Sequence, residues 1–145
     1  MLKASTGLRN QLMDTGPLRT LLNLGFIKLY SGAPPASADA AVTGTLLCTI
    51  TNAGTATGLT MEAAAVDGVL AKAAGEVWSG VNAAGGVAGY YRHVAPGDTG
   101  ALSTTLARVQ GSIAISGADM NLTNTTLSSG AAQTVDFYTL QLPTL

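Results

Sequence analysis

The chain has 145 residues, of which 47% are hydrophobic and only 10% are charged, and its formal net charge is −1. This length suffices for one domain that folds without metals, and the single cysteine, Cys48, excludes a disulfide framework within the chain. No apolar run is long enough for a membrane span, and the first residues lack the apolar core of a signal peptide, so we expect no membrane partner and synthesis in the cytosol. Because so few charges keep copies apart, we expect other protein to cover much of the surface.

Residues 1–25 are predicted to form a basic N-terminal helical arm. Ser5 and Thr6 are suitable N-caps for a first helix, and Gly16 followed by Pro17 would end it. A second short helix can begin at Pro17, with Gly25 ending it in a left-handed cap. The apolar residues expected on the two helices are Leu8, Leu12 and Met13 on the first and Leu18, Leu21 and Leu22 on the second.

Residues 26–145 are predicted to form a mainly β, single antiparallel β-sandwich. The clearest strand is "TLLCTIT", residues 45–51, in which alternation places Leu46, Cys48 and Ile50 on one face and makes Cys48 a small core residue. Further candidate strands, which bring the total to about seven to nine, are residues 58–63, 68–72, 76–81, 87–94, 108–115, 119–122 and 133–142. The alanine-rich residues 62–74 could be strand, loop or helix.

Alternation also assigns faces to two further strands. In residues 26–30, Ile27 and Leu29 share one face, while Phe26 and Tyr30 share the other. In "GYYRH", Tyr90 and Arg92 lie on one face and Tyr91 and His93 on the other, so we expect one pair in the core and one at the surface. An exposed Tyr90/Arg92 pair would be a natural anchor for a partner.

Catalytic and cofactor chemistry has little support in the residues, and we predict a protein that is not an enzyme. The only histidine, His93, has no nucleophile-elbow motif to accompany it, so we expect it at a strand end with its ring packed. One cysteine, one histidine and scattered acids do not predict a metal site, and no glycine pattern predicts a nucleotide cofactor. The second helix is rich in leucine, which is typical of a core helix and not of a helix that reads DNA, so we expect no specific nucleic-acid partner.

Six segments in order along the chain resemble a family of small virion proteins of tailed bacteriophages. They are "STGLRNQLMDTG", "FIKLYSGAPPASADAA", "GTLLCTIT", "EVWSG", "AGYYRH" and "SGADMNLTNTTLSSGAAQTVDFYTLQLP". Within that family the chain is most similar to the capsid cement, or decoration, proteins of short-tailed phages. The resemblance implies a jelly-roll-like sandwich on the outer capsid surface, synthesised in the bacterial cytoplasm, that bridges capsid subunits and adds its binding free energy to the stability of the shell.

The resemblance also implies the partners, which are the major capsid protein and neighbouring copies of the chain in a homo-oligomer. A basic, leucine-striped arm suits docking on a protein with acidic patches, and the prolines of "SGAPPASADAA" make a stiff contact loop. The residues predicted at this partner interface are Leu8, Arg9, Leu12, Met13, Pro34, Pro35, Tyr90 and Arg92.

Two other functions remain open on the sequence alone. A head-tail connector or tail component would have the same low-charge surface but few copies in each particle. A module that binds host polysaccharide or protein would use its loops, although the low aromatic content, 5%, argues against a sugar-binding platform built from stacked rings.

Overall fold

The computed structural model describes residues 1–141 of the chain. The fold is mainly β, with 38% of residues in strands and 9% in helices. The helices are α1 (Thr6–Asp14) and α2 (Leu18–Leu21). The strands are β1 (Lys3–Ala4), β2 (Phe26–Ser31), β3 (Leu46–Asn52), β4 (Val69–Ala71), β5 (Trp78–Val81), β6 (Gly86–Val94), β7 (Arg108–Ala114), β8 (Met120–Asn121), β9 (Thr126–Leu127), β10 (Ala132–Thr134) and β11 (Thr139–Gln141).

Most strands belong to one sheet, in which the order is β1-β7-β6-β2-β3-β5-β10, with β8 paired to β7 and β9 to β6. A second, two-stranded sheet joins β11 to β4. All the strand pairs are antiparallel except β7 with β8. The predicted fold class, mainly β with antiparallel sheets and two short helices, is therefore confirmed. The sandwich arrangement and the jelly-roll connection pattern stay predictions. Neither helix in residues 1–141 is long and apolar enough to cross a membrane.

The N-terminal residues pack on the body of the protein and do not form a separate arm. Ser5 caps α1 by accepting a hydrogen bond from the Leu8 amide at 3.0 Å, as its N-cap position predicts. Leu8 and Leu22 are buried in the main core, and β1 extends the sheet by pairing with β7. The first 25 residues therefore contribute to the same core as the strands.

The chain turns after α2 at Leu24 and not at Gly25. Leu24 has the left-handed φ of 57°, so the prediction of a left-handed cap at Gly25 is wrong. Gly25 has a different role, because a Cβ atom there would lie 2.2 Å from the Val94 carbonyl oxygen. Close backbone approach, and not conformational freedom, therefore requires glycine at this position.

A β-bulge in β3 changes the predicted alternation. The register pairs Leu29 with Cys48 but Tyr30 with Leu46, which leaves Leu47 as an extra residue between two pairs. Leu47 consequently turns into the core, whereas Leu46 is 37% exposed. Cys48 and Ile50 are fully buried as predicted, and burial raises the pKa of the Cys48 thiol to about 11.

The alanine-rich segment forms a β-hairpin and no helix. Asp67 and Gly68 both have positive φ, 52° and 74°, and Val66 and Val69 exchange two backbone hydrogen bonds across them. This Asp-Gly turn is the type that joins two twisted antiparallel strands. The predicted strand at 58–63 appears only as isolated bridges, Gly25 with Leu59 and Met61 with Lys72.

The C-terminal part of the chain crosses from one sheet to the other. The predicted strand 133–142 is divided into β10, which pairs with β5, and β11, which pairs with β4, while its last residue, Leu142, lies outside the described residues. Val135 and Tyr138, between the two strands, are buried in the core. The short strands β1 and β9 have no counterpart among the predicted elements.

Candidate functional site

The Pro-Pro loop, residues 32–43, covers one face of the sheet, and we call it the strap. The register aligns Lys28 of β2, Arg92 of β6, Gln110 of β7 and Lys3 of β1 in one row across four strands. Directly opposed residues project to the same face of a sheet, so these polar side chains all point towards the strap.

Main-chain carbonyl groups of the strap are held by this row. Arg92 donates from Nη2 to the Ala40 oxygen at 2.8 Å and to the Ser37 oxygen at 3.4 Å. Gln110 accepts from Arg92 Nε at 2.9 Å and donates to the Pro35 oxygen at 2.9 Å. A loop that cannot form a ladder with the sheet thereby satisfies its buried carbonyl groups with side-chain donors.

Arg108 joins the strap to the neighbouring loop that contains Asp98 and Ala101. Its Nη2 donates to Asp98 Oδ1 at 2.8 Å and to the Ala101 oxygen at 2.7 Å, and its Nη1 donates to the Ala38 and Asp39 oxygens, both at 3.3 Å. The Arg108 and Asp98 side chains are both fully buried. A planar guanidinium with five donors suits this combination of a carboxylate and several carbonyl groups better than a lysine would.

Two stacked tyrosines lie beside the C-terminal end of the strap. The rings of Tyr30 and Tyr90 lie 5.0 Å apart at an interplanar angle of 14°. The Tyr90 hydroxyl accepts hydrogen bonds from the amides of Thr43 and Gly44 at 3.3 and 3.4 Å. Burial, followed by the proximity of Tyr90, raises the pKa of Tyr30 to about 12.

The buried layer contains more positive than negative charge. Arg92 and Arg108 are both buried, and the buried carboxylate is that of Asp98, which faces Arg108. Burial, followed by the charge of Arg108, lowers the pKa of Arg92. Among the described residues, Arg92 Nη1 has no hydrogen-bond partner. Carbonyl dipoles therefore stabilise Arg92 in place of a counter-ion, which ties its charge to the position of the strap.

The opposite face of the sheet buries His93 among aromatic rings. Trp78 and Tyr138 lie against it, with ring centroids at 6.2 and 5.5 Å. Neither imidazole nitrogen has a hydrogen-bond partner within residues 1–141, and burial lowers the pKa of His93 to about 4. His93 is therefore neutral at pH 7 and packs its ring in the core, at the next-to-last position of β6.

Asp98 and Glu76 both have structural partners in the fold. The Asp98 carboxylate pairs with Arg108, whose side chain lies on the face opposite His93, so Asp98 does not orient the imidazole. Within residues 1–141 no three His, Cys, Asp or Glu residues come together as metal ligands. Glu76 is used structurally, since it accepts hydrogen bonds from Thr60 and from the Trp78 indole.

Half of the residues predicted at a partner interface lie inside the protein. The expectation that one of the pairs Tyr90/Arg92 and Tyr91/His93 is exposed is wrong, because the strap covers the face that the sequence leaves open. The buried interface residues are Leu8, Pro35, Tyr90 and Arg92, the exposed ones are Arg9, Met13 and Pro34, and Leu12 is half-buried. For the exposed residues, contact with a partner stays a prediction.

The three side chains that hold the strap, Arg92, Arg108 and Gln110, were not predicted from the sequence to do so. A signal was present, because these residues alternate with core residues in two segments predicted as strands. Polar residues in that alternation usually face water. Only the register and the path of the strap reveal that these three are covered.

Comparison with known proteins adds no assignment. No family model, curated protein or solved structure matches the chain. Any function must therefore be inferred from the residues and their geometry.

Proposed function

We propose that the chain is a capsid cement, or decoration, protein of a tailed-bacteriophage virion, bound to the outer surface of the assembled shell. The observation that carries the proposal is a surface with few charges and many exposed apolar side chains. The large hydrophobic residues exposed within residues 1–141 are Met1, Leu2, Met13, Leu24, Leu46, Val66, Val77, Val81, Val87, Leu102, Ile115 and Phe137. Such a surface favours permanent burial against other protein.

A stiff body supports the same function. The strap is fixed through its carbonyl groups, and the N-terminal helix is fixed to the strap because Thr6 donates to both oxygens of Asp39, at 2.8 and 2.7 Å. Little conformational entropy remains to be lost on docking, which favours binding from a modest contact area. A cement protein needs this property, since many copies each contribute a small binding free energy to the shell.

The contact face that we propose combines the outer side of α1 with the strap. Arg9 and Met13 are exposed on α1, and Pro34 is exposed on the adjoining strap. Arg9 also donates to Thr6, which holds Asp39, so the guanidinium is positioned beside the strap. This face is complementary to an apolar capsid surface with acidic residues at its rim.

The deciding measurement is the molar ratio of this chain to the major capsid protein in purified virions, by quantitative mass spectrometry. A ratio near one, or a simple lattice fraction of it, is expected for a shell-wide cement protein. A few copies per particle would instead indicate a head-tail connector or tail component. Absence from virions would overturn the proposal and favour the host-surface binding module.

The contact face has its own test, which uses two exposed residues. We expect Arg9→Glu combined with Met13→Ser to reduce binding to capsids that lack the protein by about tenfold or more, because both a charge and an apolar contact are lost. The control variant, Ile115→Ser, removes an exposed apolar side chain of another region. Equal binding of both variants would remove this face from the interface.

A further inference from the structure

A long groove runs between two segments near the C-terminal part of the described chain. One wall is formed by residues 119–128 and the other by residues 131–139. Three adjoining pockets of about 290, 200 and 320 Å³ follow one another along these walls. Neighbouring pockets share wall residues, Thr123 and Gln133 between the first two and Asn121 and Phe137 between the last two. Three adjoining pockets along one pair of walls suit a linear ligand of several units better than a single small molecule.

The exposed lining of the groove is rich in hydroxyl and amide groups. Its polar wall residues are Asn121, Thr123, Asn124, Thr126, Gln133 and Thr134. Within residues 1–141 no hydrogen bond uses the hydroxyls of Thr123, Thr126 or Thr134, while Asn121 and Asn124 use only their oxygens, to cap Ala118 and Thr126. Donors and acceptors along both walls are therefore available to a ligand that itself carries both.

The charges at the groove restrict the ligand further. Its walls contain no lysine or arginine, and the charged residues on them are Asp119 and Asp136. Asp119 is already engaged by Ser112 and by the N-terminal ammonium group at 3.0 Å. A polyanion such as a nucleic acid or an acidic polysaccharide would meet negative charge without a compensating cation, so an uncharged ligand is favoured.

One aromatic ring stands at the junction of two of these pockets. Phe137 is 81% exposed, although the next residue, Tyr138, is buried in the core. A ring this exposed contributes little to folding through burial, whereas it offers a flat surface to the apolar C–H face of a sugar ring. The apolar wall residues Met120 and Val135 are each only 5% exposed, so Phe137 is the wall residue with the most apolar surface open to a ligand.

We propose that this groove binds a neutral polysaccharide, with Phe137 as the stacking platform and the amides and hydroxyls of Thr123, Asn124 and Gln133 reading its hydroxyl groups. An extended peptide is less favoured. The Ala131 oxygen accepts a hydrogen bond from the Asn82 amide, and the Val135 amide donates to the Trp78 oxygen, so the alternate residues Ala132 and Thr134 turn their backbone groups towards the free edge of β10. The hydroxyl and amide groups that line the groove match the hydroxyl groups of a sugar better than the side chains of a peptide paired with that edge.

The test uses an array of immobilised bacterial polysaccharides, both neutral and acidic, probed with the whole chain, followed by affinity electrophoresis in gels that contain any polysaccharide that binds. We expect binding to one or more neutral polysaccharides. Phe137→Ala and Thr123→Val should each weaken that binding, the first at least tenfold, because they remove the platform and one hydroxyl. Both residues are exposed, so folding should be unaffected.

The matched control variants are Leu102→Ala and Thr104→Val, which remove an exposed apolar side chain and an exposed hydroxyl outside the groove. They should bind like the unaltered chain. The proposal is overturned if no neutral polysaccharide binds or if only acidic ones bind. It is also overturned if the groove variants bind as well as the controls, or if an extended peptide binds at Phe137 and the neutral polysaccharides do not. None of these results depends on the copy number in virions, so the capsid proposal stands or fails separately.

Discussion

The buried polar side chains on the two faces of the main sheet differ in whether they form hydrogen bonds. Arg92, Arg108 and Gln110 on one face find carbonyl or carboxylate partners, whereas His93 on the other face finds none for its ring nitrogens. A buried imidazole without a hydrogen bond is tolerated only while it is neutral. His93 therefore makes the stability of the fold sensitive to acid.

The sign of that dependence follows from the pKa of His93, which burial lowers from the ordinary 6.5 to about 4. The unfolded chain binds a proton below about pH 6.5, but the folded chain does not until about pH 4. We therefore expect full stability above pH 6.5 and a loss of about 2 to 3 kcal/mol as the pH falls to 4.5. Urea denaturation at pH 7.5 and at pH 4.5 measures this difference in the free energy of unfolding.

The variant His93→Leu separates this effect from the titration of carboxylates. Carboxylates titrate in both the unaltered chain and the variant. The difference between the two proteins in the stability lost on acidification therefore reports His93 alone. The variant should lose clearly less stability on acidification than the unaltered chain. Parallel losses would show that His93 is protonated in the folded state or reaches water.

At the scale of elements, the strap behaves as part of the sheet's covering layer and not as a mobile loop. Its amides and carbonyls are bonded at both ends, by Tyr90 at Thr43 and Gly44 and by Gln110 at Pro35. We therefore expect the strap to open slowly, with a free energy of local opening that can be measured separately from global unfolding.

Tyr90→Phe tests the bonds at the end of the strap. The ring stays stacked on Tyr30, but the hydroxyl that accepts from Thr43 and Gly44 is lost, so we expect a destabilisation of about 1 kcal/mol and several-fold faster amide exchange at these two positions. Hydrogen exchange followed by NMR measures both. Tyr30→Phe, in the partner ring, should leave the two amides unchanged, and equal acceleration in both variants would contradict this role.

Sequence patterns predicted the bounds of the two strands at residues 87–94 and 108–115 well, and these correspond to β6 and β7. They failed where backbone irregularity decides the outcome. The extra residue Leu47 in β3 reverses one face, and the left-handed residue Leu24 has no side-chain signal for its conformation. Both features depend on the neighbouring strands, which local patterns do not describe.

On the scale of the whole molecule, the described chain has one main core to which the N-terminal helix belongs. Leu8 and Leu22 pack in it with residues of the central strands, and Ser5 bonds to the Leu106 oxygen and the Arg108 amide. Removal of residues 1–15 would expose that core. The sequence suggested a docking arm because the exposed and buried leucines and methionines of a short helix look alike without the partner surface.

Leu8→Ala and Met13→Ala distinguish a structural helix from a docking arm. Leu8 is 1% exposed and Met13 is 89% exposed, so the first substitution leaves a cavity in the core, whereas the second removes only surface contact. We expect a loss of 2 to 5 kcal/mol for Leu8→Ala and within about 0.5 kcal/mol for Met13→Ala. Chemical denaturation measures both, and similar small losses would show that the helix is dispensable for folding.

The candidate sites could be predicted from the sequence only in part, and for a physical reason. Sequence reasoning chose exposed anchors from residue type, yet Tyr90 and Arg92 are covered by a segment far away in the chain. The groove was not foreseen because its walls, residues 119–128 and 131–139, meet only through the tertiary fold. Phe137 was likewise passed over, since nothing local indicates that its ring faces solvent while Tyr138 is buried.

The way the strap is held has a consequence for how the protein can change over time. Arg92, Arg108 and Gln110 grip carbonyl oxygens, which every amino acid supplies, and so they impose little on the side chains of Ala33, Pro34, Ala36 or Ser37. Outward-facing positions of the strap can therefore vary between related sequences without loss of the fold.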